Sequence, residues 1–205
     1  MLSRILTTAA VAGLMTACAP AEPQEEATPT PTPTETVETM AEETPGTTDA
    51  AEMEFERFTA SGTVIGAEGE EIGTIDVNGG PNGALLRVVI DEGGLTTGWH
   101  GIHLHQVGDC SDVGEFKASG GHVGKIEDGH GLMNPDGPEG GDLPNIWAAD
   151  NGSAGYEAFT MLTTGEALMD EDGSALIIHE AEDDHISQPI GGAGGRVACA
   201  VISGE

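Results

Sequence analysis

Positive charge is what this 205-residue chain has least of. Six Lys and Arg stand against 36 Asp and Glu, for a formal net charge of −30. A field of that sign repels polyanions, so binding of nucleic acid or anionic lipid through general electrostatics is excluded. It also sets a problem for any anionic substrate, which would have to be drawn in locally. Aromatic residues are few, at 3%. No segment sustains a helical period, which argues against long amphipathic helices. The one apolar stretch near the start, 5–15, is too short to span a bilayer as a mature helix. Cysteine is scarce as well: Cys18, Cys110 and Cys199, an odd number that asks for an explanation in an exported protein.

The N-terminus supplies one. Residues 1–17 read as a signal peptide, with Arg4 as its positive flank. The run Leu14-Met15-Thr16-Ala17-Cys18 resembles a bacterial lipoprotein cleavage box. That resemblance implies cutting before Cys18 and lipidation of Cys18. Acyl chains worth ~0.8 kcal/mol per buried CH₂ would then anchor the protein to a membrane. The expectation is an exported, lipid-anchored protein of the cell envelope, on the periplasmic face of the outer membrane if the cell is Gram-negative. The competing reading is an ordinary secretory signal with Cys18 there by chance. Residues 18–53 hold six of the eleven Pro among Thr, Glu and Ala. Such a segment cannot offset its ordering entropy and reads as a disordered, self-repelling tether.

Residues 54–205 read as the domain, with 27 acidic residues against five basic ones. A chain of ~150 residues can bury a sizeable core. Glycine is abundant, at 32, mostly in clusters between short apolar runs. Strands are expected near 57–66, 72–78, 84–91, 100–107, 146–149, 156–162, 175–179 and 196–202, with turn signals such as Pro81-Asn82-Gly83 and Asp172-Gly173. The pattern predicts an all-β fold: an eight-stranded antiparallel Greek-key barrel or sandwich of immunoglobulin-like architecture. Two connections, 108–144 and 180–195, have almost no strand character and are expected to be functional loops.

His103 and His105 are two apart, so on a strand they share a face while Ile102 and Leu104 point to the other. His122 and His130 lie in the first loop, which Asp142 closes. His179 ends a strand that enters the second loop, where Asp183 and His185 follow. A lone His is usually structural. Five His and two Asp around two loops point to a copper or zinc protein, since imidazole suits both metals and carboxylate completes zinc sites. With Cys18 lipidated, Cys110 and Cys199 most simply form a disulfide that pins the first loop to the last strand.

Several of these runs together resemble the copper–zinc superoxide dismutases. They are Gly101-Ile102-His103-Leu104-His105 with Gly108-Asp109-Cys110, Gly120-Gly121-His122 with His130-Gly131-Leu132, and Gly141-Asp142-Leu143-Pro144-Asn145. Ile178-His179-Glu180 with Asp183-Asp184 follows, and Gly194-Gly195-Arg196-Val197-Ala198-Cys199 closes the match. The resemblance implies dismutation of superoxide to oxygen and hydrogen peroxide by a redox-cycling copper beside a structural zinc. It implies copper on His103, His105, His122 and His179, and zinc on His122, His130 and Asp142, with His122 bridging the two. It assigns Asp183 to link His103 with His130, and makes Arg196 and His122 the catalytic pair, one holding superoxide and the other moving a proton. The family carries a further zinc His where this chain has Glu139. Glu139 either ligates by oxygen at ~2.0–2.2 Å or faces solvent and leaves zinc weakly held. Lys117 and Lys125 lie on the loop from which they could help draw in the anion, and His185 matches no motif. The alternative function is a non-catalytic copper/zinc-binding envelope lipoprotein of the same fold. Loss of a copper His or of Arg196 would mark it, and none is lost. The assembly state stays open between monomer and homodimer.

Overall fold

The computed structural model describes residues 57–204. The segments read as signal peptide and tether, with Cys18 at their junction, lie outside the described residues. Among the described residues no helix is long and apolar enough to cross a membrane.

Nine strands lie among the described residues: β1 (Phe58–Gly66), β2 (Glu71–Gly80), β3 (Gly83–Ile90), β4 (Gly98–His100), β5 (Ile102–His105), β6 (Ile146–Ala148), β7 (Ala154–Thr160), β8 (Ser174–His179) and β9 (Arg196–Gly204). Seven make one antiparallel sheet in the order β5-β8-β9-β1-β2-β3-β7, and β4 pairs with β6 in a second. The all-β expectation holds. β3 shows why the sequence folds this way. Ala84, Leu86, Val88 and Ile90 are buried while Arg87 and Val89 are exposed, the period of two that a half-buried strand demands. Burying one such Leu or Ile contributes about 1.5–3 kcal/mol. Ile75, Val77, Leu86, Leu104, Ile146 and Ile178 meet in one core, which also takes up Ala200.

Two features of the fold position the site. The expected strand at 100–107 is in fact two. His100 pairs with Ile146 in the small sheet, while Ile102 pairs with Ile178 in the large one. Gly101 is the changeover. Its N–H donates to Ala181 and its carbonyl accepts from His179. A Cβ there would stand 2.9 Å from that of Ala193, so the second loop can close on the strand only because this residue has none. The second feature is β8, buried along its whole length. Leu176 and Ile178 face the main core. Ala175 and Ile177 face a smaller cluster with Cys199 and Phe116. Phe116, fully buried at a left-handed φ of 51°, thus plugs the first loop onto the sheet.

The Cys110–Cys199 disulfide is present and closes 89 residues of sequence. Beside it, both carboxylate oxygens of Asp112 accept backbone N–H groups of Lys117 and Ala118. Those bonds hold the start of the 3₁₀ turn Lys117–Ser119.

Candidate metal centre

Both long loops fold over β5, so that His103 and His105 are buried even though they lie on the face away from the main core. Isolated bridges tie His103 to Asp142 and His105 to His122. These contacts bring the loop residues to the strand pair.

Hydrogen bonds fix one nitrogen of His103, His105 and His179 and leave the other facing its neighbours. His103 donates from Nε2 to Asp183 Oδ2 at 2.8 Å. His105 donates from Nδ1 to the Gly120 carbonyl at 3.0 Å, and His179 from Nδ1 to the Gly194 carbonyl at 3.3 Å. What remains is His103 Nδ1, His105 Nε2 and His179 Nε2, all buried and without a partner. His122 has no hydrogen-bond partner on either nitrogen. Its ring centroid lies 4.4 Å from that of His103 and 5.1 Å from that of His105. A buried polar atom left unpaired costs about 1–3 kcal/mol. Four imidazoles that each leave a lone pair unmatched toward the others form a donor set that a cation would satisfy.

Behind His122 the donors change. His130 Nδ1 lies 2.8 Å from Asp142 Oδ1, and Asp142 Oδ2 accepts the N–H groups of Gly131 and Glu139. His122 Nδ1 stands 3.2 Å from Asp142 Oδ1 and 2.7 Å from Glu139 Oε2, without the alignment of a hydrogen bond. Glu139 is 3% exposed, and its Oε1 accepts from Ile126 N. The sequence left its direction open; in the structure it turns inward. Donor atoms of His103, His122, His130 and Asp142 all lie within 4.8 Å of one another, as do those of His103, His105 and His179. Glu139 stands at the edge of the first group, reaching it through His122.

Protonation follows from these surroundings. Burial lowers His103 to about 4 and His179 to about 3, and pushes His105 lower still. These rings are neutral at physiological pH, as metal ligation requires. Burial opposes the charged form of His130 too, but its contacts with Asp142 and Asp183 outweigh this and raise it to about 9. The carboxyls of Asp142 and Asp183, held by these histidines, stay ionised far below the usual range in spite of burial. A cation arriving between His130 and Asp142 would displace the His130 proton.

Asp183 joins the two halves, with Oδ2 on His103 Nε2 and Oδ1 3.3 Å from His130 Nε2. Arg196 is held by three acceptors on the first loop: the Phe116 carbonyl at 2.6 Å, Ser119 Oγ at 3.0 Å and the Gly120 carbonyl at 2.8 Å. Gly120 thus orients both Arg196 and His105. Arg196 and His179 line an open cleft of about 330 Å³ with Lys117, Glu115 and Gly195. Lys117 is paired there with Glu115 at 2.6 Å, and Lys125 is exposed and is not among the residues lining that cleft. His100, by contrast, spends both ring nitrogens on backbone carbonyls, those of His179 and Thr96. Three residues for which sequence reasoning finds no role at the metals also serve the site: Asn145 and His185 are named there without one, and Gln188 is not named. Gln188 accepts from His130 N and donates to its carbonyl. Asn145 does the same for the backbone of Asp183. His185 packs against Asp183.

A family profile described as copper/zinc superoxide dismutase matches residues 71–202. A Cu-Zn superoxide dismutase of Caulobacter vibrioides is 44% identical over 150 residues, covering 70% of this chain and 84% of the relative. One from Aquifex aeolicus is 38% identical over 149 residues, covering 70% and 85%. Among solved structures, a double mutant of a SOD-like protein from Bacillus subtilis superposes with a TM-score of 0.62 at 32% identity, covering 68% of this chain and 94% of that one. The Cu/Zn superoxide dismutase of Brucella abortus gives 0.58 at 28% identity, covering 71% and 99%.

Proposed function

The chain belongs to the copper/zinc superoxide dismutase family, and from that premise we propose how its residues divide the work. Its reaction is the dismutation of superoxide, with copper and zinc as cofactors. Copper is assigned to His103 Nδ1, His105 Nε2, His122 Nε2 and His179 Nε2. Zinc is assigned to His122 Nδ1, His130 Nδ1, Asp142 Oδ1 and Glu139 Oε2. The observation that carries the copper assignment is the set of buried nitrogens with no partner on His103, His105, His122 and His179, and the zinc assignment rests on the donor atoms of His122, His130 and Asp142 gathered together. Bound copper supplies the one-electron chemistry, oxidising one superoxide to O₂ and reducing a second, with two protons, to H₂O₂.

The chain's own residues do the rest. Arg196 receives the anion in the cleft. Its guanidinium is immobilised by the first loop, so capture costs little side-chain entropy. His122 holds a proton at Nε2 in one half of the cycle and returns it in the other. Asp142 and Glu139 place two negative charges behind His122, one more than a three-His, one-Asp set would. Metal analysis of purified protein tests the assignment, with one copper and one zinc per chain expected. Glu139→Gln is expected to weaken zinc binding by at least the ~10–100-fold typical of an outer partner, read by chelator competition. An unchanged affinity removes Glu139 from the site.

The acidic surface enters the kinetics. Lys117 is offset by Glu115, so Arg196 acts against the field of the whole domain. Salt shortens that field to about 8–10 Å. The second-order rate is therefore expected to rise with ionic strength, and a steep fall would show local attraction prevailing. Export and anchoring through a lipidated Cys18 belong to the same proposal, supported by the cleavage-box pattern of Leu14 to Cys18.

A further inference from the structure

His185 lies on the second loop in left-handed conformation, φ 62°, uncommon for a residue that carries a Cβ. The loop is held that way from both sides. The His185 N–H donates to Asp183 Oδ1 at 2.7 Å, and its carbonyl accepts from Met133 N at 3.0 Å. Gly131 makes room for that carbonyl, because a Cβ there would come within 2.2 Å of it.

The ring has one tautomer consistent with its neighbours. Asn145 Oδ1 accepts from Asp183 N, and its Nδ2 donates to the Asp183 carbonyl, so the amide's orientation is fixed. Nδ2 also faces His185 Nε2 at 3.2 Å. A donor at that position makes Nε2 the acceptor and puts the ring proton on Nδ1. Nδ1 is buried, has no hydrogen-bond partner, and stands 3.5 Å from Asp183 Oδ2. A carboxylate has about four lone-pair directions. Three on Asp183 are taken, by His103 Nε2, His130 Nε2 and His185 N.

From this geometry we infer that His185 is a positioning residue. Its Nδ1 stands 3.5 Å from the open side of the Asp183 carboxylate, short of a hydrogen bond, and the positive end of the N–H dipole there favours the ionised carboxylate square to His103 and His130. Asp183 keeps a proton on the Nε2 of each of those rings, which leaves both Nδ1 atoms free for metal. His185 thus acts on both metals through one carboxylate while touching neither set of ligands. The inference rests on the metal assignment above.

Left-handed backbone suits Gly and Asn, so two variants separate ring from backbone. His185→Gly removes the ring and keeps the loop path, whereas His185→Asn restores a short N–H donor. For His185→Gly the expected result is zinc binding weakened about tenfold, the lower end for a partner behind a ligand. A shift in the copper(II) electron paramagnetic resonance spectrum should accompany it, at unchanged copper content and unchanged melting temperature of the metal-free protein. His185→Asn should recover part of both. Wild-type zinc affinity and copper spectrum in His185→Gly would overturn the inference. Gly and Asn variants that behave alike would also overturn it, placing the effect in the backbone. Wild-type protein that takes up no zinc would instead overturn the metal assignment beneath it.

Discussion

His122→Ala is expected to lower superoxide dismutation by about 10²–10⁴-fold, the range for removing a positioned proton-transfer group. Zinc should be lost in the same variant. The reason is the double exposure of this ring. Both its nitrogens are buried without hydrogen-bond partners, one toward His103 and His105, the other toward Asp142 and Glu139. Every other ring in the copper set has a partner on one nitrogen and therefore one role. Metal content per chain and superoxide consumption, measured on the same preparation, check the expectation. Activity within about threefold of wild type would show that neither nitrogen is needed, since ~0.6 kcal/mol in the barrier is then all that was lost.

The second large effect belongs to the disulfide. Replacing Cys110 and Cys199 together by Ala should destabilise the metal-free domain by about 4–5 kcal/mol, the upper figure from loop-closure entropy for a bridge spanning 89 residues. Denaturant unfolding monitored at equilibrium reads this directly. Activity should fall too, because all three acceptors that hold Arg196 come from the stretch of loop behind Cys110. A loss below about 1 kcal/mol would mean that Phe116 and its cluster pin the loop without help.

Legibility in the sequence followed the range of the interactions. The period of two places His103 and His105 together and was enough to read. The strand at 100–107 was not, because a Gly inside an apolar alternation carries no mark of the neighbour it must admit. Ala193 makes Gly101 a changeover between sheets, and it lies on a different loop. Glu139 could be located by its motif, but its inward turn depends on Ile126 N and His122, which spacing does not encode. For the same reason Asn145 and Gln188 went unread in their bonding roles. They hold backbone groups 38 and 58 residues away, beyond any local pattern.

The pairing of β9 between β8 and β1 has a consequence for the order of events during synthesis. The first strand waits for the last, and its register with Ser203 and Gly204 is set only when almost the whole chain exists. Such long-range closure is slow compared with local hairpins. A nascent chain that stops short of β9 lacks Arg196, the bridge and the edge on which His179 rests. The placement of Arg196 thus depends on the pairing of β9 with β8. Every residue assigned to the metals lies within 103–179 and is made before β9, so the ligands precede the strand that brings Arg196.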